Sequence, residues 1–429
     1  QAGGLFSISQ SDIRVDATLG NATYLAAYML FHSFLALFLF LRHKGAPWVR
    51  YVYGALIIGQ LITLYLTATR GAMLGLLGGL IIAALYIIWK GNNPLFKRFA
   101  FGGLAGVVFL VGGFLAVRNT DFVRQSPVLN RFASISLEET TTKSRFIIWG
   151  MVWDGFKERP ILGWGQENFN YVFNKYYDPR MYNQEQWFDR THNVVLDWLI
   201  VGGIVGLLAY LSLFGIGLYY LLFGDRRRES EIGRDASSPF TPEEKGILLG
   251  LFAAYFFQNL FVFDNITSYI LFVTLLAYLH SIEATLPRRA VFSSLARITP
   301  GSREGVMIGV ALLTLLLVYL VNVPAVRANR LLIKAVSNQT EGITKNLEYF
   351  NQVFAIGSFA DTEAREQLLQ ASFTVINQTA RTTDSLLVDV RQKFLALSDE
   401  QFKIQIGQVP NDARYRLFYG SFLNQAGRY

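Results

Sequence analysis

Three residues of this 429-residue chain combine a reactive side chain with a position at the end of a long apolar segment. Arg70 lies between two such segments, Arg145 begins an amphipathic stretch, and His192 comes just before another apolar segment. A guanidinium binds anions through paired hydrogen bonds, and an imidazole can take up a proton near neutral pH. Because the helix dipole disfavours a cation in the first turn of a helix, the position of Arg145 favours a role with an anion.

Each position also has a structural explanation. Arg70 could extend its guanidinium to the lipid headgroups, as arginines at the ends of membrane spans do. A single histidine at the end of a span is often structural; of the other histidines, His43 lies in a loop and His32 and His280 lie inside apolar segments. His192 differs from these because arginines are predicted on the same side of the membrane and a large loop precedes it. A covered site is therefore predicted there.

The composition is that of an integral membrane protein. Hydrophobic residues make up 52% of the chain and charged residues 16%, whereas soluble domains average about 45–50% and about 25%. The net charge of +8 suggests nucleic-acid binding, but the basic residues lie in loops beside apolar segments, where membrane orientation and lipid phosphates explain them. No nucleic-acid partner is therefore predicted. The absence of cysteine excludes disulfides, thiol nucleophiles and cysteine-based zinc clusters.

Eight apolar segments are long enough, at about 17–25 residues, to be predicted as membrane spans. They are Ala22–Leu41, Tyr51–Thr69, Ala72–Trp89, Phe99–Val117, Val194–Phe223, Gly246–Phe263, Ile266–Ile282 and Gly305–Val323. The chain is therefore predicted to be all-α, with a polytopic transmembrane helix bundle in residues 1–323. A large extracytoplasmic loop covers residues 118–190, and a soluble α-helical domain covers residues 324–429.

The basic residues of the loops predict which ends of the spans face the cytoplasm. Arginine and lysine are concentrated after the first, third, fifth and seventh spans, and the positive-inside rule assigns those four loops to the cytoplasm. The loop 118–190 exceeds the roughly 60 residues over which the rule counts charge, so its own arginines do not oppose this assignment. Arg70, the loop, His192 and the C-terminal domain are thus all predicted on the extracytoplasmic side of a plasma membrane.

Two further patterns predict how helices pack. One is a helical face formed by Arg145, Ile148, Trp149, Val152, Trp153 and Phe156, ahead of Pro160 and the turn Gly163-Trp164-Gly165. This helix either lies in the membrane interface or packs against the bundle. The other is a set of closely spaced glycines that predicts helix-packing seams in two spans. They are Gly71, Gly75, Gly78 and Gly79 in one span and Gly102, Gly103, Gly106, Gly112 and Gly113 in the next.

The C-terminal domain shows helical periodicity with polar faces. The predicted helices are Ala325–Ser337, Ile343–Ala355, Thr362–Gln378 and Thr383–Leu397. After Pro410, the spacing of six residues resembles the first helix and turn of a tetratricopeptide repeat (TPR): Tyr415, Tyr419, Gly420, Leu423, Gly427 and Tyr429. An ordinary helical hairpin explains the same pattern. A repeat of this kind would offer a surface for a protein partner.

Several elements in order resemble the O-antigen ligase and polymerase superfamily of bacterial membrane glycosyltransferases. Arg70 and Leu74 match an Arg-x3-Leu element, and His192 and Gly203 match a His-x10-Gly element. Residues 145–169, 191–208 and 17–30 are similar to the segments that flank these elements, so the resemblance covers about residues 17–282. The chain has fewer N-terminal spans than the family, a polar start without a signal peptide and no initiator methionine. A processed or partial sequence is therefore expected.

The resemblance implies a fold like that of the C-type glycosyltransferases and a donor glycan linked to undecaprenyl diphosphate. It implies that Arg70 and Arg145 bind the diphosphate, with Arg124 and Arg131 as further candidates, because guanidinium groups stabilise the charge on the leaving oxygen. His192 is then the base for the acceptor hydroxyl. No Asp-x-Asp pair or carboxylate cluster is seen in the outer loops, so neither a metal ion nor another cofactor is predicted. The acceptor stays open between a lipid A core, a second lipid-linked glycan and a protein.

Two other classes of function fit part of the pattern. A transporter or flippase for the same lipid would place polar residues or broken helices near the middle of the membrane, whereas the predicted spans are mostly apolar. A non-catalytic envelope scaffold would use the helical tail to recruit partners. Transfer of a labelled donor by the purified protein would distinguish the enzyme from both.

Overall fold

The computed structural model describes residues 14–135, 140–182, 187–232, 238–283 and 300–427. Every regular element in these ranges is a helix, which confirms the predicted all-α class. The chain divides into two compact units, Gln1–Arg289 and Ala290–Tyr429.

The helices are named here in chain order. The first unit contains α1 (Ala22–Arg42), α2 (Pro47–Leu66), α3 (Arg70–Lys90), α4 (Pro94–Val117), α5 (Asp121–Gln125), α6 (Pro127–Ala133), α7 (Thr140–Glu158), α8 (Phe169–Lys175), α9 (Val194–Ile232), α10 (Pro242–Asn259) and α11 (Ile266–Glu283). The second unit contains α12 (Pro300–Val336), α13 (Ile343–Ile356), α14 (Asp361–Thr379), α15 (Ser385–Gln408) and α16 (Ala413–Ala426). Helix starts follow local sequence rules. For example, the Thr241 hydroxyl and the Glu244 carboxylate form a capping box at the start of α10, with Pro242 as its first residue.

Six helices of the described residues are long and apolar enough to cross a membrane. Their apolar parts are Ala22–Arg42, Pro47–Leu66, Arg70–Lys90, Pro94–Val117, Val194–Asp225 and Glu304–Val336. They coincide with six of the eight predicted spans and define a multi-pass helical membrane protein. The other two predicted spans are helical but differ. Helix α10 carries Glu243, Glu244 and Lys245 in its first turn, and the apolar part of α11, Ile266–Ile282, is shorter.

Helices α3 and α10 pack along the glycine seam predicted in α3. A β-carbon at Gly75 would lie 2.6 Å from the carbonyl oxygen of Ala254, and one at Gly79 would lie 2.5 Å from that of Gly250. The two backbones therefore approach more closely than any larger residue allows. The glycines of α4 behave differently, since no described atom lies within 4 Å of a β-carbon built on any of the five. The seam predicted in α4 is therefore not found within the described residues.

Helix α9 is broken at Gly203, whose backbone is left-handed with φ 61° and ψ −161°. The turn before α8 fills the break. The Trp164 amide donates to the Ile200 carbonyl (2.9 Å), and the Ile204 amide donates to the Pro160 carbonyl (2.9 Å). These bonds satisfy backbone groups that a broken helix leaves free. Gly163 faces Gly203 so closely that a β-carbon on Gly163 would lie 2.6 Å from the Gly203 nitrogen.

Replacement of Gly203 with alanine is expected to destabilise this junction. Alanine is strained at a positive φ, and its β-carbon would collide with the Ile161 carbonyl. We expect a loss of about 1–3 kcal/mol of stability and faster proteolysis of the loop before α9, measured in detergent. The neighbouring Gly202→Ala is the control, because its β-carbon would meet only Trp198 at an ordinary 3.8 Å. Equal stability of the two variants would contradict the prediction.

The second unit contains one long helix and a helical array. Helix α12 runs unbroken through Pro324, so the predicted break between a span ending at residue 323 and a helix beginning at residue 325 is wrong. The predicted domain division after residue 323 falls inside this helix and stays a prediction. The next three helices, α13, α14 and α15, confirm the predicted helical periodicity, and α15 extends beyond its predicted end to Gln408. Helix α16 begins after Pro410 as predicted, whereas its assignment to a TPR stays a prediction.

Candidate active site around His192

His192 lies in a tight turn directly before α9. Its own backbone is left-handed, with φ 54°, a conformation that costs energy for a residue with a side chain. The neighbours hold the turn. The Thr191 hydroxyl donates to the Asn193 carbonyl (2.8 Å), and the Asn193 side chain accepts from the amides of Val195 (3.0 Å) and Leu196 (3.2 Å). Asn193 thereby caps α9. Strained backbone of this kind is concentrated at functional sites.

The imidazole of His192 is held between two aromatic rings. Phe188 and Phe263 each meet it edge to face, with ring centroids 5.5 Å away. Its Nδ1 lies 3.3 Å from the carbonyl oxygen of Arg190. Because a carbonyl oxygen can only accept, this contact requires the proton on Nδ1. The other nitrogen, Nε2, then carries the lone pair that can accept a proton from a substrate.

The surroundings of His192 favour its neutral form. Burial lowers the pKa of the imidazole below its ordinary 6.5, and the nearby cation of Arg145 lowers the pKa further. The hydrogen bond to the Arg190 carbonyl and the carboxylate of Asp189 act in the opposite direction, and the net pKa is lowered. A neutral imidazole at neutral pH is the form that a general base requires.

An ion pair holds the loop to the first turn of α9. Arg190 donates to Asp197 (Nη1 to Oδ2, 3.1 Å) and also pairs with Glu167. Asp197 in turn accepts from the Thr191 amide (3.3 Å), and the Trp149 indole donates to the Thr191 carbonyl (3.2 Å). Sequence reasoning missed this network. The available signal was Asp197, an acidic residue one turn inside an apolar segment.

Arg70 is the first residue of α3 and is presented by a second strained turn. Ala68 is left-handed with φ 47° and is fully buried. Arg14 holds this turn, because its guanidinium donates to the Thr67 carbonyl (2.9 Å) and to the Thr69 hydroxyl (2.9 Å). Arg70 itself is half-buried and donates to the hydroxyl of Ser134 (Nη2 to Oγ, 2.9 Å). The contact ties the start of α3 to the end of α6.

The turn between α10 and α11 lies between Arg70 and His192. A β-carbon built on Gly71, next to Arg70, would lie 3.3 Å from Phe261, and Phe263 packs on the ring of His192. Two residues of chain span at most about 7 Å. The start of α3 and the histidine turn therefore lie against the same short turn. Arg145 is half-buried on α7 and is close enough to lower the pKa of His192. Its predicted position in the first turn of the helix is wrong, because α7 begins at Thr140.

The two further arginine candidates, Arg131 and Arg124, have exposed side chains. The hydroxyl of Ser134 donates to the Arg131 carbonyl (3.2 Å) while it accepts from Arg70. This places the backbone of Arg131 near Arg70, although the Arg131 side chain is exposed. Arg124 is exposed on α5. Among the described residues, no group of three or more histidine, aspartate or glutamate side chains is arranged to hold a metal ion.

Helix α7 packs mainly against the protein. Ile148 and Val152 are fully buried in a cluster with α8 and with residues Ile200 and Val201 of α9. Of the two predicted arrangements, packing against the bundle is therefore correct for the face of α7 that carries Ile148 and Val152. Trp153, assigned to the same face, is instead 53% exposed. The predicted face was drawn too wide.

A groove opens between α1, α3, α4 and the start of α10, with a volume of about 430 Å³. Apart from Glu243, its described lining is apolar. The residues that line it include Leu37, Phe40, Leu80, Ile81, Ala84, Ile87, Phe99, Gly103, Leu104 and Val107. A groove of this composition accepts a hydrocarbon chain.

Comparison with known proteins gives two similarities. Residues 55–211 match the protein family described as O-Antigen ligase, and this range includes Arg70, Arg145 and His192. A protein of Rickettsia conorii named Putative polysaccharide ligase is 25% identical over 158 residues, which are 36% of this chain and 36% of that protein. The chain thus matches about a third of the length of this curated relative. These similarities support the O-antigen ligase superfamily.

Proposed function

We propose that this protein transfers a glycan from a polyprenyl diphosphate, such as undecaprenyl diphosphate, to an acceptor hydroxyl on the extracytoplasmic side of the inner membrane. The observation that carries the proposal is that Arg70 and an oriented imidazole lie against one turn, with Arg145 near enough to the imidazole to lower its pKa. The donor supplies a diphosphate for the arginines, and the acceptor supplies a hydroxyl proton for the imidazole. The similarity to a family of glycan ligases supports this combination.

The reaction assigns each group a defined task. Nε2 of His192 takes the proton of the acceptor hydroxyl as its oxygen attacks the anomeric carbon of the donor sugar. The bond from that carbon to the diphosphate oxygen breaks, and the leaving polyprenyl diphosphate takes the electron pair. Arg70 and Arg145 bind the negative charge that develops on it, with Arg124 and Arg131 as further ligands. The imidazolium then releases its proton to water or to the departing diphosphate.

The basic loops and the connectivity of the helices support the proposed side of the membrane. The loop after α1 and the loop after α3 are basic, which assigns the opposite ends of these helices to the outside. Helices α10 and α11 are joined by the short turn 260–265, so they enter and leave the membrane region together. The proposed assignment of residues 324–429 to the extracytoplasmic side is therefore the same whether or not this pair spans the membrane.

The groove supports a lipid-linked donor. Helix α3 begins at Arg70 and lines the groove with residues 80–87, which lie about 15–25 Å further along the helix. A hydrocarbon chain attached to a diphosphate at the start of α3 would have to follow this helix over that distance to enter the groove. The groove would contribute to donor affinity through burial of apolar surface.

A bulky residue in the groove is expected to weaken donor binding. Gly103 lines the groove, and a β-carbon there meets open space, so Gly103→Trp fills the groove without disturbing a packed contact. We expect the KM for the lipid-linked donor to rise about tenfold, which corresponds to about 1.4 kcal/mol, with kcat little changed. Gly112→Trp on the same helix, also in open space, is the matched control. Identical KM values for the two variants would exclude donor binding in the groove.

The direct test of function is transfer by the purified protein in vesicles. The donor would be a labelled glycan on undecaprenyl diphosphate, and the acceptors would be lipid A core, a second lipid-linked glycan and a peptide hydroxyl, each offered to one face. Mass measurement of a glycosylated acceptor on the face that exposes the extracytoplasmic loop would support the proposal. Movement of the donor without any transfer would indicate a transporter, and neither activity would indicate a scaffold.

The second unit is proposed to contact a protein partner. Its helices α13–α16 form an array joined by short connections, and arrays of this kind present extended surfaces to other proteins. A partner bound there would bring an acceptor or a companion enzyme of glycan assembly to the membrane. Membrane lipids are proposed to surround the spanning helices whether or not a protein partner is bound.

A further inference from the structure

We propose that the α10–α11 turn, residues 260–265, is the element that sets the spacing between Arg70 and His192, and that Phe263 is the positioning residue for the imidazole. The inference rests on the proposed function, since it assigns a role to residues around that site. The turn lies outside the matched range 55–211. Its role is therefore argued from contacts within the structure.

Phe263 contacts both parts of the histidine turn. Its ring meets the imidazole edge to face at 5.5 Å, and the guanidinium carbon of Arg190 lies 5.5 Å from the same ring. Arg190 also supplies the carbonyl that bonds Nδ1 of His192. One aromatic ring thus restricts the imidazole and the residue that selects its tautomer. Edge-to-face pairs of this kind have a preferred geometry, which opposes rotation of the ring.

Asp264 fixes the turn in place. Its carboxylate accepts hydrogen bonds from the hydroxyl of Tyr210 on α9 (2.7 Å) and from the amide of Asn259 on α10 (2.8 Å). It also accepts from the Tyr255 hydroxyl and from the Ser268 hydroxyl on α11 (3.2 Å). Three helices therefore converge on a single side chain. A network with all its members bonded is rigid, so Phe263 is held at a defined position.

The other side of the turn rests on α3. Phe261 lies against Gly71, and the Gly75 and Gly79 seam holds α3 to α10 along its length. Because the backbones of α3 and α10 are in close contact along this seam, α3 cannot easily slide relative to the turn. Movement of the turn would change the distance between the guanidinium of Arg70 and the imidazole of His192. That distance must match the separation of the diphosphate from the acceptor oxygen.

The test compares Phe263→Leu with the conservative Phe263→Tyr in the full-length protein. Leucine is apolar but smaller, and it removes the edge-to-face contact, whereas tyrosine keeps that contact. We expect Phe263→Leu to lower kcat about tenfold or more, because small misplacements of catalytic groups have large effects, with KM within about twofold. Phe263→Tyr should retain most of the activity. Phe109→Leu, at an 83% exposed phenylalanine of α4, is the matched control.

A second measurement is independent of activity. Titration of labelled histidine by NMR, with the His192 signal assigned from the His192→Ala spectrum, gives the imidazole pKa directly. The charged groups that face or adjoin it are Arg145 on α7, Asp189 and Arg190 on its own loop, and Asp264 in the turn. Phe263→Leu adds or removes no charge among them. Because leucine is smaller than phenylalanine and covers less of the imidazole, the pKa of His192 should rise toward its ordinary value.

The outcomes separate the two proposals. An unchanged pKa and an unchanged kcat in Phe263→Leu would overturn the positioning role, as would an equal loss in Phe263→Tyr. Absence of transfer by the wild-type protein, or full transfer by His192→Ala, would overturn the proposed function instead. In that case the NMR titration still shows whether Phe263 covers the imidazole.

Discussion

Replacement of His192 with alanine is expected to abolish glycan transfer while the protein still inserts and folds. The side chain meets Phe188 and Phe263 edge to face, and its Nδ1 bonds to the Arg190 carbonyl within its own turn, so the expected loss is chemical. A positioned general base contributes about 10²–10⁴-fold to rate. The measurement is transfer of a labelled glycan from undecaprenyl diphosphate by the purified variant. His43→Ala, in the loop between α1 and α2, is the control and should behave as wild type.

The same residue determines the expected pH dependence. The base acts in its neutral form, so the rate should rise with pH as the imidazole loses its proton and should level off above the pKa. Because burial and Arg145 lower the pKa of His192, the midpoint of the rise should lie below 6.5, and activity should be fully present at neutral pH. A midpoint above 6.5, or transfer by His192→Ala at the wild-type rate, would exclude His192 as the general base.

Replacement of Arg70 with lysine is expected to lower kcat about 10²–10³-fold, the usual effect of removing one group that stabilises a developing oxyanion. Lysine keeps the charge but cannot form paired hydrogen bonds to two phosphate oxygens. It also cannot preserve the contact geometry with Ser134. The measurement is donor turnover at saturating acceptor. Arg145→Lys should show a loss of the same kind, because Arg145 is assigned to the same diphosphate.

The control for these variants is Arg118→Lys. Arg118 follows the last residue of α4 and is exposed, so the same exchange at this position should leave turnover unchanged. Full donor turnover in both Arg70→Lys and Arg145→Lys would exclude a role of these residues in diphosphate binding. A loss of protein yield in all three variants would instead indicate that the arginines serve insertion.

The catalytic candidates could be predicted from the sequence because the evidence for them is local. Arg70 and His192 stand at the ends of apolar segments, and segment length alone predicts where helices meet the membrane surface. Their types then suggest anion binding and proton transfer. The glycines of α3 were likewise recognisable from their spacing. The same spacing in α4 predicted a seam that is not found within the described residues, because a small residue permits a close approach without requiring one.

The support of the site could not be predicted in this way. Gly163 and Gly203 are 40 positions apart in the sequence, and only the folded chain brings the turn before α8 into the break of α9. Phe263 lies 71 positions after His192, in what reads as the end of an ordinary span. Contacts of this range depend on how helices pack, and no local pattern encodes them. Asp197 and Asp264 were visible as acids beside apolar segments, but their partners were not.

The amino-acid sequence by itself therefore determined the helical class, the approximate spans, the predicted sides of the loops and the residue types at the site, because these follow from local hydrophobicity and charge. Only the tertiary structure decided that α12 continues through Pro324, that α7 buries its apolar face, and that one turn contacts both the start of α3 and the imidazole. These features depend on which surfaces meet when helices pack. Which surfaces meet depends on the whole chain, because each apolar face could be covered by more than one partner.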